Sequence, residues 1–168
     1  MMLLYNKALD ANHTLLRMIA LLVSWKAETV EVEALRLFDF LIANPGHIQK
    51  LSVPKGKFVE KKEFKSYSNR YQNFDPKSLF NAMKEIHLLV IERLVEIGIL
   101  KLESKTSYYH VLLENIPDGL KTLAESNENS ISVQAIDFIV ANLTKISVTG
   151  SEGLKKITNL MDYKYDVN

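Results

Sequence analysis

Glu92-Arg93-Leu94-Val95-Glu96-Ile97-Gly98-Ile99-Leu100-Lys101-Leu102 changes its hydrophobic period at a single glycine. Upstream of Gly98, Leu79, Met83, Ile86, Val90, Leu94 and Ile97 recur at steps of three and four, the spacing of one core-facing helical stripe. Asp75-Pro76 supplies a side-chain cap and a proline at the first helical position, so one helix is predicted from there to Ile97. Gly98 is placed to end it in the left-handed conformation that glycine adopts without steric cost. Downstream the period becomes two: Leu100 and Leu102 alternate with Lys101 and Glu103. Ser104 to Ser107 read as a polar turn, and Tyr108 to Leu113 as a β-rich return strand. A helix that meets a hairpin at one glycine is the order of a winged helix-turn-helix.

The flanking sequence fits that reading. Residues 1–9 are apolar and short, suited to a strand or an ordered arm. Asp10 or Asn12 can cap a helix to about Trp25, apolar around nearly its whole circumference and therefore central in the core. A break at Lys26–Thr29 precedes a second helix from about Glu31 to Ala43, which Asn44-Pro45-Gly46 ends. Beyond the hairpin, Pro117 opens a helix to about Ser126. Val133, Ile136, Val140 and Leu143 mark another, and Leu154 to Met161 a last one. The expected fold is mainly α with a small β-hairpin. A winged helix-turn-helix-like domain would cover 1–116, with a basic insertion at 52–74, and a helical extension would cover 117–168. Phe38-Asp39-Phe40-Leu41-Ile42-Ala43-Asn44 echoes Ile136-Asp137-Phe138-Ile139-Val140-Ala141-Asn142. The flanks do not extend the match, which reads as two amphipathic helices of similar composition or as a degenerate second copy.

The 168 residues include 47% hydrophobic side chains, enough for a real core, and a net charge of +1 that favours no class of partner. The absence of cysteine excludes disulfides, thiolate metal sites and cysteine nucleophiles. No signal peptide is expected at the N-terminus, and Leu15–Trp25 is about half the length that spans a bilayer, so a cytoplasmic location is expected.

Winged helices bind DNA, and they also serve as protein-docking modules. Reading base edges and phosphates needs polar and basic side chains on the exposed face of the recognition helix, here the one predicted up to Ile97. Here Lys77, Lys84 and Arg93 are opposed by Asp75, Glu85, Glu92 and Glu96, a mixed and slightly acidic face. The basic excess lies elsewhere. Lys55, Lys57, Lys61, Lys62, Lys65 and Arg70 interleave with Phe58, Phe64, Tyr67, Tyr71 and Phe74. This is the candidate surface for a nucleic-acid backbone or for a partner protein. Catalytic patterns are lacking. The four histidines form no HExxH, Gly150-Ser151-Glu152-Gly153 lacks phosphate-loop spacing, and no GxSxG occurs. Glu60-Lys61-Lys62 and Glu63-Phe64-Lys65 match the E-x-K fragment of metal-dependent nucleases, without a strand to carry it. No enzymatic activity, metal or cofactor is expected.

Leu35-Arg36-Leu37-Phe38-Asp39-Phe40-Leu41-Ile42-Ala43-Asn44-Pro45, followed after the basic stretch by Val95-Glu96-Ile97-Gly98-Ile99-Leu100, resembles the middle components of ABC three-component systems. These small winged-helix subunits include the accessory subunit of Lamassu antiphage systems. The likeness spans roughly residues 12–115, and more loosely extends to the tandem winged-helix subunits of bacterial condensins. It implies an accessory subunit that bridges an SMC-like coiled-coil ATPase and a nuclease-type effector, and it assigns no catalytic residue. The alternative is a stand-alone winged-helix transcription regulator.

Overall fold

The Asp10 carboxylate accepts the His13 backbone N–H at 3.0 Å and starts α1 (Ala11–Trp25). The computed structural model describes residues 6–53, 58–67, 75–104 and 106–162. Residues 7–9, which the sequence allows as strand, form a 3₁₀ turn capped by Asn6. Lys26, left-handed at φ 57°, closes α1 and turns the chain into β1 (Thr29–Glu31). This strand is missing from the sequence reading, which has only a break there. Three residues carry no period of their own, and Thr29–Glu31 is extended because it pairs with a strand some eighty residues later.

α2 (Val32–Ala43) follows at once and is buried from Ala34 to Ile42 on every side, as only a helix at the centre of a core can be. Pro45–Lys50 and Val59–Ser66 are 3₁₀ turns that lie against each other. The helix expected from Pro76 to Ile97 is two: α3 (Pro76–Ala82) and α4 (Lys84–Ile97). At Met83 the turn tightens. Its N–H is shared between the carbonyls of Leu79 at 3.0 Å and Phe80 at 3.2 Å, and ψ relaxes to −13°. No glycine or proline marks that turn in the sequence. The stripe survives it, because Leu79, Met83, Val90 and Leu94 are all buried, but Ile97 is 40% exposed and leaves the core.

Gly98 ends α4 at φ 91° and hands the chain to β2 (Leu100–Leu102) and β3 (Tyr108–Val111). The strands pair antiparallel in the order β1-β3-β2, with Val30 opposite Tyr109 and Leu100 opposite Val111. Leu100 is buried whereas Leu102, expected on the same inner face, is 53% exposed at the end of the hairpin. A Cβ at Gly98 would meet only the Asn115 amide at 3.5 Å, an ordinary contact, so the backbone angle is the sole penalty. Gly98→Ala is therefore expected to cost about 1–2 kcal/mol in urea unfolding, the strain of a left-handed L-residue. A loss below a few tenths of that range would mean the turn relaxes.

The C-terminal helices close the far side of α1. α5 (Asp118–Glu125) and α6 (Val133–Asn142) pack on α1, and α7 (Leu154–Thr158) on α2. Ala124, Ile136, Phe138, Ile139, Leu154 and Ile157 join the same hydrophobic cluster as Met18, Leu37 and Leu94. The molecule is thus mainly helical, with one small three-stranded antiparallel sheet among the described residues. No described helix is long and apolar enough to cross a membrane.

Candidate functional site

Three places collect chemistry. The first is buried. Arg17 sits in the largely apolar α1 and is 4% exposed, while Asp39 on α2 is 0% exposed. Their contact is two-pronged: Arg17 donates from Nε to Asp39 Oδ1 at 2.8 Å and from Nη2 to Oδ2 at 3.1 Å. Arg17 also donates to the Lys7 carbonyl and the Thr14 hydroxyl. On the other side of Asp39, His87 of α4 places Nε2 at 2.8 Å from Oδ2, and its Nδ1 accepts from Arg36 Nε at 3.3 Å. Both contacts are satisfied when the His87 proton lies on Nε2. Burial alone would raise the Asp39 pKa, but the Arg17 guanidinium and the hydrogen bonds from His87 and Arg17 outweigh it and hold the carboxyl below its ordinary value of 3.8. The network joins α1, α2 and α4, and so fixes the docking angle of the helix that carries the hairpin. His87 is wholly buried and hydrogen-bonded.

A second, half-buried imidazole has a pH consequence. His47 Nε2 lies 2.9 Å from the Thr158 carbonyl and tethers the 3₁₀ turn 45–50 to α7, with its ring edge-on to Phe40. Burial lowers its pKa from the ordinary 6.5, aided by Lys50 and opposed by the Thr158 hydrogen bond. The unfolded chain therefore takes up this proton first, and stability falls as pH drops from 6.5 towards the folded-state value. His47→Gln should shrink the loss of urea midpoint between about pH 7.5 and about pH 5.5. An unchanged loss would assign it to other groups.

The second place is the basic segment. Lys55, Lys57 and Arg70 lie outside the described residues. Lys62 and Lys65 are exposed on the turn 59–66, whereas Lys61 donates Nζ to the Leu51 carbonyl at 3.1 Å. Lys61 is thus committed to holding the turn on the chain before it. Glu60 and Glu63 alternate with these lysines, and Glu63 accepts from Gln134 on α6 at 3.2 Å. Phe64 is buried, stacked on Tyr67 and edge-on to Phe138, and Phe58 also meets Phe138. Tyr67 donates its hydroxyl to Gln134 at 2.9 Å. These three aromatics anchor the segment to α6 and leave Lys62 and Lys65 facing solvent, while Tyr71 and Phe74 lie outside the described residues.

The third is the outer face of α4 and the hairpin. Leu88 is 45%, Leu89 48% and Val95 39% exposed, and they alternate with exposed Glu85, Glu92 and Glu96. Lys84 and Arg93 are the exposed cations of this helix, and Arg93 lies 3.9 Å from Glu96. On the hairpin Leu102 and Tyr108 are also exposed, on opposite faces of the sheet, since Leu102 pairs with Tyr109. The sequence shows the acidic residues here, but assigning the leucines to the outside requires knowing which side of α4 meets α1 and α2.

Residues 3–166 match the family model described as ABC-three component (ABC-3C) system Middle Component 5. The chain belongs to this family. The match covers nearly the whole length, C-terminal helices included, so those helices are part of the Middle Component 5 unit. As a middle component, the protein is one part of a multi-component system and has partner proteins within it. No curated protein and no solved structure matches it.

Proposed function

We propose that this Middle Component 5 protein is a non-catalytic winged-helix scaffold that binds protein through the outer face of α4 and the hairpin. The order α1, β1, three helices and a hairpin, with β1 beside β3, supports the winged-helix reading. The observation that carries the functional reading is the composition of the α4 face. A helix that reads DNA presents arginine, lysine and amide side chains to the groove. This one presents Leu88, Leu89 and Val95 interleaved with three glutamates, with only Lys84 and Arg93 as cations, which suits a protein surface with apolar and basic groups. Its occupant is another component of the system: an SMC-like coiled-coil ATPase, with a nuclease-type effector held on the same scaffold, in antiphage or anti-plasmid defence.

Lys62 and Lys65 leave room for non-specific contact with a DNA backbone by the assembled complex. Such contact would be lost steeply as salt rises. The test is co-expression with the ATPase and effector of its system, followed by affinity purification through this chain. Stoichiometric recovery of the ATPase supports the scaffold reading. A clean monomer that shifts its own promoter at physiological salt would instead support the stand-alone regulator.

A further inference from the structure

Arg36 is an unusual side chain on purely local grounds. It is 6% exposed, lies over the Phe80 ring with the guanidinium carbon 4.5 Å from the centroid, and donates Nε to His87. Its two terminal nitrogens have no acceptor among the described residues. An arginine so deeply placed ordinarily has its fork satisfied, because a desolvated guanidinium without an acceptor is costly. Burial indeed depresses its pKa, with Glu33 opposing.

The fork borders a cleft of about 190 Å³ between α2, α3, the start of α4 and residues 160–162 beyond α7. Lys77 and Lys84 stand at its rim with the Asn81 amide between them, and Asp162 is the one carboxylate lining it. Neither lysine forms an ion pair with Asp162 or with any other described residue within 4.0 Å. Three cations, a spare amide and one acid therefore converge on a small concavity that none of these charges neutralises.

We propose that this cleft is a binding site for a phosphate monoester group, held by Arg36 with Lys77 and Lys84. A planar guanidinium offers two parallel N–H donors to a tetrahedral oxyanion, and stacking on Phe80 fixes the plane of the fork. Two flanking ammonium groups match a dianion better than a carboxylate. The volume lies below the about 300 Å³ at which sites for drug-sized ligands begin, so it suits a single anionic head group. Arg36 is only 6% exposed at the cleft, which favours a terminal phosphate, with three free oxygens, over the diesters of a continuous duplex backbone. The group belongs either to a small phosphate compound or to the end of a nucleic-acid strand.

Calorimetric titration of the full chain with inorganic phosphate, adenosine monophosphate and a 5′-phosphorylated oligonucleotide, against its 5′-hydroxyl counterpart, tests this. Saturable one-site binding is expected for at least one phosphate-bearing probe, and the hydroxyl oligonucleotide should not bind at this site. Lys77→Ala with Lys84→Ala, both outside the core, should weaken binding about tenfold or more, as loss of charge-assisted hydrogen bonds does. Asp162→Asn should tighten it. Arg36→Lys keeps the charge but loses the fork and should weaken it as well. Preference for the oligonucleotide over the monophosphate identifies strand ends as the source, and equal binding identifies the phosphate group alone. No saturable binding by any probe, or binding that the Lys77/Lys84 pair of substitutions leaves unchanged, would overturn the proposal.

Discussion

Asp39→Ala is expected to lower the unfolding free energy by about 3–5 kcal/mol, because it strands a buried cation rather than merely deleting a contact. Removing the carboxylate leaves Arg17, 4% exposed, facing an empty site, and leaves His87 Nε2 without its acceptor. Against a total stability of about 5–15 kcal/mol for a typical domain, this is a large fraction. Urea unfolding at neutral pH, read as a change in midpoint at constant slope, gives the number. The opposite design is informative. Replacing both partners, Arg17→Met with Asp39→Leu, should cost much less than the sum of the single substitutions, since no lone charge remains buried. Additive single and double effects would show that the ion pair is not coupled as the geometry demands.

The second large effect falls on assembly, not on folding. Leu88→Glu with Val95→Glu places two carboxylates one above the other on the exposed face of α4. Both positions face solvent in the isolated chain, so the thermal midpoint should stay near that of the native protein. Burial of each side chain in an interface is worth about 1.5–3 kcal/mol, so the pair should weaken partner binding by at least about a hundredfold. Co-purification with the partner ATPase would then be lost. The control is Lys62→Ala with Lys65→Ala, which removes exposed charge from the turn at 59–66. If instead the lysine variant released the partner and the α4 variant kept it, the docking face would have to move to that turn.

How much of this is legible in the sequence depends on how local the cause is. α1, α2, α4, α5 and α6 follow from periodicity and from caps at Asp10, Gly98 and Ser132, all acting within one or two turns. β1 does not, because Thr29–Glu31 is a strand only through pairing with β3. The tightened turn at Met83 also lacks a local cause. The buried network was half visible. Arg17 inside an all-round apolar helix must be buried, and a buried arginine needs an acid. What the sequence cannot do is choose Asp39 over the other acids, or bring His87 to it across forty-eight residues. The echo between α2 and α6 shows the limit well. Asn44 and Asn142 make the same bond back to the carbonyl four residues earlier, at 3.2 Å and 3.0 Å. Yet Asp39 is fully buried, and Asp137 at the matching place is exposed.

The absence of cysteine from the whole chain permits a direct test of the docking claim. A lone Leu89→Cys thiol on the α4 face and, separately, a Ser24→Cys thiol at the exposed end of α1 can each be titrated with a maleimide, free and in the assembled complex. Protein docking on α4 predicts that the residue-89 thiol reacts slowly in the complex and freely in the isolated chain, with residue 24 reacting alike in both. Equal reactivity of the residue-89 thiol in the two states, in a complex that has demonstrably formed, would contradict it.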